Sequence, residues 1–153
     1  MRARVVNEKF TEKSDPIQDL GIGNPEKSLF PLLKKELKKY NIDIEWHKDY
    51  HIGDGFWYFN VEFNDEDEPT AAQDVQMSYG TDEAAAAQDE DWQGGFVITD
   101  EDGEEYLMEY THDYKKVIKT LVKEKFGSKA EVIKRARVLQ KNLQKLQNVL
   151  NVL

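Results

Sequence analysis

His47, Asp49 and His51 alternate along the chain, a spacing that on an extended strand puts two imidazoles and a carboxylate on one face. Such a set is a candidate zinc or nickel site, with Asp43, Glu45, Asp54 and His112 as further donors. The chain has only three histidines among many acids and no helical HExxH pair, so a solvated strand face accounts for the pattern and no metal ligand is assigned. Calcium chemistry is suggested by Asn64, Asp65, Glu66, Asp67 and Glu68, and by the turn at 100–105. Asp100-x-Asp102-Gly103 imitates the start of an EF-hand loop but lacks its spaced ligands and closing glutamate. Acid–base hydrolysis needs two carboxylates at a defined separation, and nothing selects two of the 30 Asp and Glu. There is no glycine-rich phosphate loop, GxSxG elbow or nucleophile–base pair. With no cysteine, a thiol nucleophile, a Cys-ligated metal and a disulfide framework are excluded. The protein is expected not to be an enzyme, and no catalytic or cofactor-binding residue is assigned.

The clearest chemical pattern is apolar. Val132, Ala136, Leu139, Leu143, Leu146, Leu150 and Leu153 step alternately by four and three residues, the spacing of a heptad seam. Ala136, Leu143 and Leu150 take position a; Val132, Leu139, Leu146 and Leu153 take position d. The flanking e and g positions hold Gln140, Gln147, Arg135, Asn142 and Val149, so charged pairs that would select a partner are missing. A stripe of two residues per heptad is narrower than the face of a helix packed on its own domain, and self-association is expected.

Charge is laid out as unevenly as the leucines. The net charge is −9, yet residues 49–114 contain twenty Asp or Glu and no Lys or Arg, while residues 115–153 carry eleven basic and two acidic residues. Such a dipolar chain presents an acidic surface to basic partners or pairs its own opposite segments. Asp65, Glu66, Asp67, Glu68, Asp89, Glu90 and Asp91 form the candidate acidic partner surface. A basic side on the last helix (Lys134, Arg135, Arg137, Lys141, Lys145) raises nucleic acid as a partner, but the overall negative charge opposes long-range attraction and no direct nucleic-acid contact is expected.

These residues need elements to position them. At 153 residues and 11% aromatics the chain has the makings of one small core. Residues 1–24 are turn-rich with sparse apolar anchors, Phe10, Ile17 and Leu20 among them, and read as an extended arm. From Asn24 as N-cap and Pro25 at the first helical position, Leu29, Phe30, Leu33, Leu37 and Tyr40 recur at helical spacing. Pro31 bends this helix or marks its true start. Ile42, Ile44, Trp46 and Tyr50 alternate with polar residues as a half-buried strand, and Trp57, Phe59, Val61 and Phe63 form the matching face of a second. Residues 64–94 read as an acidic insert too polar to bury, holding at most a short edge strand at Val75, Met77 and Tyr79 and a helical turn at alanines 84–87. Asp102-Gly103 signals a second hairpin. Tyr114, Val117, Ile118, Leu121, Val122 and Phe126 then make one helical face; Gly127 closes it, and Ser128 with Glu131 forms a capping box for the leucine helix.

The predicted fold is α+β, a small antiparallel sheet of two hairpins with flanking helices and a C-terminal heptad helix. It divides into an arm at 1–24, an α+β domain at 25–127 with the acidic insert, and a coiled-coil-like oligomerisation helix at 128–153. No apolar run is long enough to span a membrane and the N-terminus lacks a signal-peptide core, so a cytoplasmic protein without membrane contact is expected.

The segment Phe10-Thr11-Glu12-Lys13-Ser14-Asp15-Pro16-Ile17-Gln18-Asp19-Leu20-Gly21-Ile22-Gly23 resembles the FTE-x-SDPI-x-D-x-GIG opening of small, mostly uncharacterised bacteriophage proteins. The resemblance covers residues 7–23 and brings no catalytic residues. It implies a phage-encoded protein with an N-terminal arm, acting in the cytoplasm of an infected bacterium as a host-takeover factor or within the virion. The functional expectation is a non-enzymatic assembly or protein-interaction protein that self-associates as a homo-oligomer through its leucine heptads, without cofactor. An acidic nucleic-acid mimic binding a basic host or phage protein is the alternative, and a small metal-dependent enzyme using His47 and His51 a distant third.

Overall fold

The computed structural model describes residues 24–64 and 74–153. The arm with its anchors Phe10, Ile17 and Leu20, the segment that carries the phage resemblance, and the acids Asp65, Glu66, Asp67 and Glu68 lie outside the described residues.

The first helix, α1 (Leu29–Lys38), begins four residues later than the Asn24–Pro25 signal. Residues 25–28 form a turn in which the Phe30 amide donates to the Pro25 carbonyl at 2.8 Å and the Ser28 hydroxyl to the Asn24 carbonyl at 3.3 Å. Pro31 therefore sits in the first turn, where its missing N–H leaves no intrahelical bond unmade. The chain leaves α1 through Asn41, whose φ of 56° is the left-handed conformation that asparagine tolerates best after glycine.

Strands β1 (Ile42–Lys48) and β2 (Phe56–Phe63) pair as the expected hairpin, with Ile44 opposite Val61 and Trp46 opposite Phe59. The first strand is shorter than its alternation suggests. Asp49 donates to the Phe56 carbonyl at 2.9 Å and the chain turns, leaving Tyr50 exposed rather than on the apolar face.

The larger correction concerns residues 64–94. Val75–Gly80 is strand β3, and it is the middle of the sheet, not its edge: the order is β1-β2-β3-β4-β5, antiparallel throughout, with β4 at Gly95–Asp100 and β5 at Tyr106–Thr111. Met77 and Tyr79 are almost fully buried because each is flanked on both sides, Tyr79 by Trp57 and Phe96, Met77 by Phe59 and Ile98. The short helix α2 (Asp82–Gln88) follows, capped by the Thr81 hydroxyl, which accepts from the Ala84 amide at 3.1 Å. Asp82 and Glu83 in its first turn complement the helix dipole, so only the acids beyond its C-terminal end oppose it. Asp102-Gly103 makes the second hairpin as expected, with Gly103 at φ 75°. The predicted pair of hairpins thus stands, joined by a fifth strand between them. The β4–β5 pairing carries register shifts, and Tyr106 and Tyr110 are exposed on this outer strand.

Helix α3 (Tyr114–Phe126) lies with α1 on one face of the sheet. The two helices and the inward residues of the first four strands form a single cluster centred on Phe30. Its ring meets Trp46, Trp57, Phe59 and Tyr79 with centroids at 4.9–5.5 Å, mostly edge to face, the geometry that the ring quadrupoles favour. The predicted capping box is present: Ser128 Oγ accepts from the Glu131 amide at 3.2 Å, and Glu131 accepts from the Ser128 amide at 3.0 Å. It starts α4 (Lys129–Val152), 24 residues long.

Candidate functional site

None of the residues of α4 is buried. Leu139, Leu143, Leu146, Leu150 and Leu153 are 56–93% exposed, and Val132 and Ala136 on the same stripe are exposed as well. Near the start of the helix the Arg135 guanidinium donates to the Phe126 carbonyl. In proteins most of a helix's stability comes from packing its apolar face rather than from intrinsic propensity. Here the face is formed and nothing within the described residues covers it.

The second candidate is the sheet face away from α1 and α3. Its residues alternate with the core: Glu45, His47, Tyr58, Asn60, Gln76, Ser78, Val97 and Thr99 lie on it, polar or half-exposed. At one end it deepens into a cup of about 620 Å³. Phe56 pairs with Gly80, and a side chain on Gly80 would strike its ring at 2.8 Å, so glycine there lets Phe56 lie flat as the floor. Ile52, Trp92 and Tyr110 line it with Phe56, and Asp91 and Glu109 are also among its lining. Every lining residue belongs to the stretch 49–114, which carries no Lys or Arg, so the cup holds aromatic faces in a negative field with no cation of its own. Burial and the neighbouring Tyr106 hydroxyl push the Tyr110 hydroxyl above its usual pKa, keeping it a neutral donor.

Of the acidic surface residues, Asp89, Glu90 and Asp91 are exposed on the loop after α2, where Asp89 accepts from the Asp91 amide at 2.9 Å. The proposed metal face is not assembled. His47 lies against Tyr58, ring centroids 5.2 Å apart, and contacts Asn60 at 3.4 Å. Asp49 instead accepts from the His51 amide at 3.2 Å within the turn, because β1 ends at Lys48 before the alternation can bring His51 round. No group of three or more His, Cys, Asp or Glu able to hold a metal occurs among the described residues.

Sequence reasoning missed two polar assemblies. His112 links strand to helix, its Nδ1 3.1 Å from the Tyr79 hydroxyl and its Nε2 2.9 Å from Asp82. That hydrogen bond holds the Asp82 carboxyl below the usual carboxylate range, with the Gly94 amide adding to it against partial desolvation. Burial, reinforced by the Asp82 charge, raises Tyr79 far above an ordinary phenol. Being buried, this hydroxyl is a structural tie rather than an acid offered to substrate. Lys125 is the other: it is a buried residue of α3, and its ammonium donates to the carbonyls of Tyr40, Asn41 and Asn64 at 2.5, 3.1 and 2.6 Å. Neither pattern has a local signature; the cup had one, Trp92 with Gly94-Gly95 amid acids.

No family model matches the chain, and searches of curated proteins and of solved structures return no match. No helix of the described residues is long and apolar enough to cross a membrane.

Proposed function

We propose that the protein is a non-enzymatic assembly or interaction protein, phage-encoded and acting in the cytoplasm of an infected bacterium or in the virion, that self-associates through the leucine face of α4. The observation that carries this reading is a formed helix with its whole leucine stripe exposed. Each leucine buried in an oligomer contributes on the order of 1.5–3 kcal/mol before ordering costs, enough in sum to hold a stable complex. Light scattering on the full chain and on a chain ending at Ser128 tests it. A defined oligomer that persists in high salt and disappears on truncation is expected; a monomer in both forms overturns it.

The aromatic cup supports a second reading, that the acidic sheet face takes a basic protein partner in place of nucleic acid. Cations over aromatic faces, with carboxylates near, gain both cation–π and charge attraction. A hexa-arginine peptide titrated against tryptophan fluorescence is expected to bind, and Trp92→Ala with Tyr110→Ala to weaken it tenfold or more. Binding unchanged in that double variant would reduce the interaction to general charge attraction and sink the cup.

A further inference from the structure

The geometry points to a particular partner arrangement for α4: two copies of this chain, with their helices antiparallel. The inference rests on the self-association reading and adds its stoichiometry and direction.

The first argument is the shape of the stripe. In a parallel pair each layer faces its own twin, so Ala136 meets the partner's Ala136 and leaves a thin layer beside leucines. In an antiparallel pair a positions meet d positions. Centring the pair between Leu143 and Leu146 sets Leu143 against the partner's Leu146, Leu139 against the partner's Leu150 and Ala136 against the partner's Leu153. Every leucine of the stripe is then covered, and the single small residue faces a large one. The arrangement is two-fold symmetric and closes on itself, as homodimer interfaces commonly do.

The second argument is charge. Lys134, Arg135, Arg137, Lys141 and Lys145 occupy the first two-thirds of the helix, and residues 146–153 carry no charge at all. Parallel copies set these bases level with one another. Antiparallel copies set Lys141 level with the partner's Asn148, Lys145 with the partner's Gln144 and Arg137 with the partner's Val152. The helix spans about 36 Å at 1.5 Å per residue, so the antiparallel pair also holds the two acidic sheet domains at opposite ends, well beyond the screening length of about 8–10 Å. A parallel pair would place two segments of −20 at the same end.

The chain has no cysteine, so single-cysteine variants report orientation cleanly. Leu139→Cys and Leu150→Cys are mixed and oxidised, with Gln140→Cys and Gln147→Cys as a flanking pair that leaves the leucine stripe intact. In the antiparallel pair Leu139 lies about 16 Å along the axis from its own twin, too far for a disulfide. The expected result is a mixed cross-link at least tenfold stronger than either variant alone gives, in both sets, at a light-scattering mass of two chains. Strong cross-linking of each variant with itself at that mass overturns the orientation while self-association stands. A mass above two chains overturns the pair, and a monomeric mass overturns the self-association reading beneath it.

Discussion

The ammonium of Lys125 lies 2.6 Å from the carbonyl oxygen of Asn64, and the two residues are 61 positions apart. Asn64 itself donates to the Asn41 carbonyl at 2.9 Å, so one lysine ties the end of α3 to the α1–β1 turn and the end of β2 together. Replacing it with methionine keeps the apolar stem but removes the ammonium from the carbonyls of Tyr40 and Asn64 and takes one of its two donors from that of Asn41. Lys125→Met is expected to cost about 2–4 kcal/mol, read as a lower urea midpoint at unchanged m value. A change within about 0.5 kcal/mol would mean that water replaces the ammonium there.

The Asp82–His112 contact makes a pH-dependent contribution whose sign follows from the shift. The folded carboxyl is held below its unfolded value, so its stabilisation is present above about pH 4 and is lost as pH falls through the folded pKa. Asp82 is 74% exposed, which screens the pair and limits the effect to about 0.5 kcal/mol. Asp82→Asn is expected to be slightly less stable than the parent at pH 6, with the gap narrowing as the pH falls below about 4, measured by urea denaturation. A gap that widens with acid would reverse the assignment.

What was legible in the chain was local. Ser128 and Glu131 declare a cap three residues apart, Asp102-Gly103 declares a turn, and the α3 face can be counted off at helical spacing. β3 was not legible as the central strand because its place depends on what flanks it: Tyr79 is buried by Trp57 and Phe96, and nothing in a run of six residues announces those neighbours. The acids around it argued for a loop, but they belong to the chain before and after the strand. Lys125 was hidden for the same reason, since its acceptors lie 61–85 residues away. The leucine stripe reads directly from sequence, whereas its exposure depends on where α3 releases the chain.

Gly95 is a backbone position rather than a spacer. Its φ is 114°, and a side chain there would come within 2.8 Å of the Thr111 main chain on the neighbouring strand. Gly95→Ala is expected to cost about 2–3 kcal/mol through strain and loosened β4–β5 pairing. Calorimetry should show the loss as a lower Tm, and hydrogen exchange should show it first on β5.

The leucine helix and the domain are expected to be energetically separable, because α4 places no residue in the core. Leu143→Asp would put a charge in the middle of the stripe without touching the cluster around Phe30. If the helix is held by another copy, this substitution yields a monomer, and far-ultraviolet circular dichroism falls as α4 loses the burial that sustains it. The unfolding free energy of the monomeric domain, followed by tryptophan fluorescence, should stay within about 0.5 kcal/mol of that of the chain ending at Ser128. In the parent, helicity should rise with protein concentration over the range where mass rises, since the same contacts drive both. Helicity that is independent of concentration, and unchanged by Leu143→Asp, would mean that α4 stands without a partner and that its leucines serve some other end.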